Sequence, residues 1–168
     1  MKKLFILFIA VAGFGVSSYA QSTGTASTSA VLITPISIAK TTDMNFGTVA
    51  ASATAGTVDL DYADGRTAGG GVTLPAGSTL QKTAVFTVTG QASSSFSIGV
   101  PAAPITLTGS VSGTVTVSDF ACQEGASTTL GVGGTKAIYV KAKLNVPANS
   151  VAGTYTNAAS LEVVVNYN

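Results

Sequence analysis

The chain contains no histidine and no tryptophan, has a single cysteine, and carries charge on only 9% of its 168 residues. Each scarcity excludes something. Without imidazole there is no ordinary Ser-His-Asp or Cys-His arrangement and no histidine-ligated metal, since these need a base titrating near neutrality or a neutral nitrogen donor. A glycosidase-like carboxylate pair is the remaining hydrolytic option, drawn from Asp43, Asp59, Asp61, Asp64, Asp119, Glu124 and Glu162. No tryptophan is present to stack on a sugar, and sequence alone brings no two of these carboxylates together. The expectation is a protein without catalysis, cofactor or bound metal.

One cysteine cannot form a bridge within the chain, so stability must come from packing. Beside Phe120, Cys122 reads first as a small buried hydrophobe, with an intermolecular bridge or a reactive thiol as the alternatives. Eight basic residues oppose seven acidic ones; setting aside Lys2 and Lys3 leaves six against seven. So balanced a charge attracts neither nucleic acid nor an acidic membrane surface.

What is present begins with a three-part N-terminus. Met1-Lys2-Lys3 is basic, Leu4 to Val16 is apolar, and Ser18-Tyr19-Ala20 offers small residues at the −3 and −1 positions. This is the pattern of a cleavable secretory signal, with Gln21 as the first mature residue. The apolar run of about thirteen residues is short for a bilayer span, and no stop-transfer charges follow it. No cysteine marks the cleavage point for lipid attachment, and no second long apolar run predicts a membrane span in the mature chain. The domain reading is a signal peptide over 1–20, an N-terminal extension over 21–33 and one sandwich domain over 34–168.

Gln21 to Ala30 is a Ser/Thr/Gly/Ala tract, readable as disordered or as a strand awaiting a partner. Apolar β-branched residues then appear at Val31, Leu32, Ile33, Ile36 and Ile38, divided by Pro35, which has no amide to donate. Further strands are predicted over Val58–Tyr62, Val72–Leu74, Ala84–Thr89, Phe96–Val100, Ile105–Thr108, Val115–Val117, Ala137–Val146 and Ala159–Tyr167. Several alternate with period two, as Val115 and Val117 do around Thr116. Clusters of Gly, Pro, Asn and Ser separate them, including Gly69-Gly70-Gly71, Pro75-Ala76-Gly77-Ser78 and Pro147-Ala148-Asn149-Ser150. Regular turn chemistry of this kind predicts an all-β antiparallel sandwich of seven to nine strands in two sheets.

Two motifs invite chemical readings that their spacing does not sustain. Asp59-Leu60-Asp61-Tyr62-Ala63-Asp64-Gly65 lacks the spacing and the terminal Glu of a calcium loop. It reads instead as a strand with Asp59 and Asp61 in water and Val58, Leu60 and Tyr62 inward, closed by an Asp-Gly turn. Gly131-Val132-Gly133-Gly134-Thr135-Lys136 lacks the Gly-Lys-Ser/Thr order of a phosphate loop and reads as a hairpin turn. Lys136, Lys141 and Lys143 read as the wet face of the following strand, with Ala137, Tyr139 and Leu144 on its inner face.

The ends are more informative. The chain's last strand puts Leu161, Val163, Val165 and Tyr167 on one face, and such a strand leaves its outer edge for something else to pair with. Pro35-Ile36-Ser37-Ile38, Met44-Asn45-Phe46-Gly47-Thr48-Val49, Phe86-Thr87-Val88-Thr89-Gly90, Val146-Pro147-Ala148-Asn149, Ala152-Gly153-Thr154-Tyr155-Thr156 and the ending Val165-Asn166-Tyr167-Asn168 together span most of the mature chain. In these elements the sequence resembles bacterial fimbrial subunits of the chaperone–usher type. It looks closest to a family of exported β-sandwich domains of unknown function, numbered four-four-zero-two, similar in appearance to spore-coat-U-like pilins.

The resemblance implies an incomplete immunoglobulin-like, pilin-like sandwich. Its missing strand would come first from a periplasmic chaperone and then from the extension of a neighbouring subunit. Partners would be like subunits in a homo- or hetero-polymer, plus that chaperone and an outer-membrane usher; the location would be the periplasm and then the cell surface or fimbrium. The penultimate aromatic maps onto Tyr167, and the donor onto part of Gln21 to Ile33. The extension is richer in Ser, Thr and Ala than in large apolar residues, and the disulfide of many spore-coat-U-like subunits cannot form.

Strand addition satisfies a row of edge amides and carbonyls while alternate side chains enter a groove. Four apolar side chains would contribute about 6–12 kcal/mol gross before ordering costs. The candidate donor residues are Ala30, Val31, Leu32 and Ile33, with Val31 and Ile33, or alternatively Ala30 and Leu32, facing inward. The competing reading is a self-complete secreted or surface-associated binding module, whose N-terminal segment folds back as its own missing strand.

Overall fold

The computed structural model describes residues 21–157 and 161–168, which form eleven strands and no helix. Residues 1–20, where the signal is predicted, lie outside them. Residues 21–32 belong to a unit of their own, without a strand and exposed throughout. The compact body runs from Ile33 to Asn168.

Its strands are β1 (Ser37–Thr42), β2 (Gly56–Leu60), β3 (Arg66–Gly70), β4 (Ala84–Thr89), β5 (Ser95–Gly99) and β6 (Ile105–Gly109), then β7 (Thr114–Cys122), β8 (Ser127–Thr129), β9 (Thr135–Val146), β10 (Tyr155–Thr156) and β11 (Val164–Tyr167). Every ladder is antiparallel. The large sheet is ordered β1-β4-β9-β7-β6-β10, with the β2–β3 hairpin attached along β9; the small sheet is β11-β5-β8. The fold is an all-β antiparallel sandwich.

The long strand β9 organises the core. One of its margins pairs with β4 over 135–140 and with β2 over 142–146, while the other pairs with β7. Period-two alternation turns Ile138, Val140, Ala142, Leu144 and Val146 inward. The small sheet packs Phe96, Ile98, Val163 and Val165 against Phe86, Val88, Ile138 and Val140 in one core cluster. Val58, Leu60, Val115, Val117 and Leu144 belong to a second cluster. Phe96, Ile138 and Val140 have no exposed surface, and full burial of such a side chain contributes about 1.5–3 kcal/mol.

Several expectations are corrected. Eleven strands replace seven to nine, because β3, β8 and β10 are short pieces without apolar alternation. β3 reads Arg-Thr-Ala-Gly-Gly and exists as the return arm of β2, paired from Leu60–Arg66 to Gly56–Gly70. The strand placed at Val72–Leu74 reduces to one bridge, Thr73 to Ala50. Gly131–Gly134 is a tight turn but not a hairpin, since it carries the chain from β8 in the small sheet to β9 in the large one. Ala137 and Tyr139 lie on the exposed face of β9 with Lys141, whereas Lys136 shares the parity of Ile138. The last predicted strand starts at Ala159, which falls among residues 158–160, outside the described ones, and β11 itself begins at Val164.

Candidate functional site

The two ends of the compact body meet at Tyr167. Its hydroxyl donates to the Thr34 carbonyl at 2.7 Å and accepts the Gln91 amide at 2.5 Å. The Gln91 side-chain oxygen in turn accepts the Thr34 amide at 3.3 Å. Both backbone groups of Thr34 are thereby held where the N-terminal segment leaves the body. Gly90 makes room for this arrangement, because a Cβ there would collide with the Tyr167 hydroxyl. Thr34 and Gln91 were not legible as site residues, since 57 positions separate them and neither belongs to a motif.

Leu161, Val163, Val165 and Tyr167 share one face as predicted. Val163 and Val165 are buried, and Leu161 and Tyr167 pack against the same cluster. Between them Val164 turns outward and is 48% exposed. β11 pairs with β5 from Val164–Gly99 to Tyr167–Phe96; among the described residues no strand pairs with its other side. β1 is likewise terminal in the large sheet, paired with β4 alone among the described residues, and it approaches β11. An unpaired strand margin presents a row of amides and carbonyls that can template a further strand.

Beside the β1 margin and Leu161 lies an apolar pocket of about 170 Å³, half open to solvent. Thr42 of β1, Phe86 of β4, Ile105 and Leu107 of β6, Phe120 of β7, and Leu161 are among its lining residues. An apolar side chain seated in such a pocket leaves water and gains dispersion contacts. Lys40 and Asp43 also line it and pair with each other at 2.6 Å.

Ala30 is exposed, as are Val31 and Leu32 at 89% each, while Ile33 falls to 54%.

The other motifs act as fasteners. The Asp61 carboxylate accepts the amides of Ala63 and Gly65 at 2.8 and 2.7 Å, forming the turn in which Asp64 takes a φ of 66°. Asp64 accepts Lys82 Nζ and the Thr83 amide, both at 2.7 Å; the Lys82 bond, then the amide, lowers its pKa. Thr83, almost completely buried, donates its hydroxyl to the Asp61 carbonyl. Asp59 and Asp119 both bridge to Lys143, at 3.4 and 3.2 Å, and the Asp119 bond, then the Asp59 bond, raises the Lys143 pKa. The three carboxylates of the Asp59–Gly65 stretch thus have separate partners, and Asp59 and Asp61 face water as predicted. Among the described residues no three of His, Cys, Asp and Glu gather as a metal group.

Cys122 is buried and donates to the Glu124 carboxylate at 3.2 Å. Burial, the largest cause, pushes its pKa up to about 11, which keeps the thiol protonated at neutral pH. Arg66, which the sequence did not single out, donates Nη1 to the carbonyls of Phe46 and Thr48 at 2.7 and 2.9 Å. It fixes the Asn45-Phe46-Gly47 corner, where Asn45 accepts the Gly47 amide at 2.7 Å and Gly47 adopts a φ of 67°.

Neither the curated proteins nor the solved structures yield a match to this chain. A family model described as "Domain of unknown function (DUF4402)" matches residues 36–167, from the residue before β1 to the last residue of β11 and most of the chain. With that match covering the whole sandwich, the chain belongs to the DUF4402 family.

Proposed function

We propose that this protein is a non-catalytic structural subunit of a bacterial surface fibre, assembled by strand donation between like subunits. The observation that carries the reading is a pair of strand margins, β1 and β11, left unpaired among the described residues, with an apolar pocket beside β1 and Leu161, in a chain whose residues 30–33 are apolar and exposed. Strand addition joins these features. Main-chain bonds complete the margin of β11, and alternate side chains of the donor enter the groove. Secretion through a signal over residues 1–20 would bring the subunit to the periplasm. There a chaperone would cover the same margin before an outer-membrane usher exchanges it for the next subunit's extension. A net charge of only +1 suits a protein whose partners are copies of itself.

The test is electrophoresis of the exported full-length protein without heating. Ladders of multiples that collapse on boiling are expected, together with their loss when residues 21–33 are deleted. Ladders that persist after that deletion would refute strand donation. A concentration-independent monomer with protected amides at Val31 to Ile33 would instead establish the self-complete binding module.

A further inference from the structure

We propose that Leu32 of one copy fills the apolar cavity of a second copy, with Ala30, Thr28 and Ala26 following it along β11. This rests on the strand-donation reading above and fixes its register, which the sequence leaves open between Val31 with Ile33 and Ala30 with Leu32.

The anchor at Thr34 decides which residues are free to be donated. Its amide and carbonyl are engaged by Gln91 and Tyr167, and the compact body begins at Ile33. Ile33 accordingly loses exposure, 54% against 89% for Leu32. A donor strand that ends at Leu32 has two phases. One presents Val31, Ser29, Ser27 and Thr25; the other presents Leu32, Ala30, Thr28 and Ala26. Only the second combines a large apolar residue with further apolar positions.

Direction and depth agree with that phase. Every ladder in the sandwich is antiparallel, and an antiparallel addition that pairs with β11 and continues over residues 161–163 before it places the end of the donor beside Leu161 and its start beside Tyr167. Directly opposed residues share a face. Leu32 then opposes Leu161, Ala30 opposes Val163, Thr28 opposes Val165 and Ala26 opposes Tyr167. Val163 and Val165 are already about nine-tenths buried, leaving little depth, which suits Ala and Thr. The pocket lies at the Leu161 end, and its volume of about 170 Å³, open on one side, leaves room for one apolar side chain. Residues 21–34 carry no charge, and the charges at the cavity, Lys40 and Asp43, are paired with each other.

The same anchor excludes the chain's own cavity as the destination of Leu32. Two residues reach at most about 7 Å from Thr34. Thr34 is held at Tyr167, six positions from Leu161, a span on the order of 20 Å at strand rise. Leu32 can fill this pocket only in another molecule.

The test coexpresses two differently tagged full-length chains, both with Cys122→Ala, one also carrying Leu161→Cys and the other Leu32→Cys or Val31→Cys. After mild oxidation the Leu32→Cys pair is expected to cross-link at least about tenfold more than the Val31→Cys pair, as the register requires. Single-variant assembly supplies a second readout. Leu32→Asp should weaken ladder formation about ten- to hundred-fold and Val31→Asp less than about twofold. Stronger cross-linking through Val31→Cys would overturn the register while leaving strand donation standing. No cross-link from either position, with ladders that survive deletion of residues 21–33, would overturn both.

Discussion

Replacing Gly90 by alanine should reveal whether the Tyr167 anchor is built as described, because its cost depends on what stands at position 167. A Cβ at Gly90 would collide with the Tyr167 hydroxyl and lie 3.0 Å from Leu130 Cδ1 and 3.2 Å from Tyr167 Cζ. Overpacking of this kind costs about 1–3 kcal/mol. Displacing the phenol also loosens its bonds to the Thr34 carbonyl and the Gln91 amide, each worth about 0.5–1.5 kcal/mol net. Gly90→Ala should therefore destabilise by about 2–4 kcal/mol. Tyr167→Phe removes the hydroxyl alone and should cost about 1–2 kcal/mol. The sharper expectation is their interaction. With the hydroxyl already gone, the methyl added at position 90 no longer meets it, so the double variant should be more stable than the summed single losses by about 1 kcal/mol or more. Urea titrations at one fixed protein concentration, with an unchanged slope, provide the measurement. Strict additivity, or a Gly90→Ala loss below about 0.5 kcal/mol, would refute the close approach of Gly90 and Tyr167.

Other groups give independent expectations. Asp64 has a lowered pKa through Lys82 and the Thr83 amide, so its contribution is present above the ordinary carboxylate pKa of roughly 4 and fades as pH falls through the lower folded value. Asp64→Asn should flatten that acid slope; an identical stability–pH profile below roughly pH 5 would contradict the assignment. Cys122, with a pKa of about 11 and a buried sulfur, should react with a disulfide reagent at neutral pH far more slowly in the native protein than in urea. Equal rates would show the thiol to be accessible. Arg66→Met removes both bonds to the Phe46 and Thr48 carbonyls and should cost about 1–2 kcal/mol in urea unfolding, whereas an unchanged midpoint would show that the clip adds nothing to stability.

The sequence determined the fold class, because the period of an apolar pattern is a local property. Phe86-Thr87-Val88-Thr89 alternates apolar and polar, and the strand falls on Ala84–Thr89. Leu161, Val163, Val165 and Tyr167 share a face for the same reason. Elements whose existence depends on a neighbour were not legible: β3 is polar and glycine-rich and is held by its ladder to β2. Ala137 and Tyr139 take the face opposite to the one expected, since alternation leaves parity open until the packing of β4, β9 and β7 chooses it.

The candidate site divides along the same line. Residues 30–33 stand out in sequence as apolar after a polar tract, and the terminal strand stands out by its alternation. Tertiary structure alone brings Thr34 to Tyr167 across 133 positions and gathers β1, β4, β6, β7 and Leu161 around one cavity. Sequence encodes which side chains prefer to leave water; which of them meet is decided by strand order, a long-range outcome of backbone pairing that no window of neighbouring residues contains.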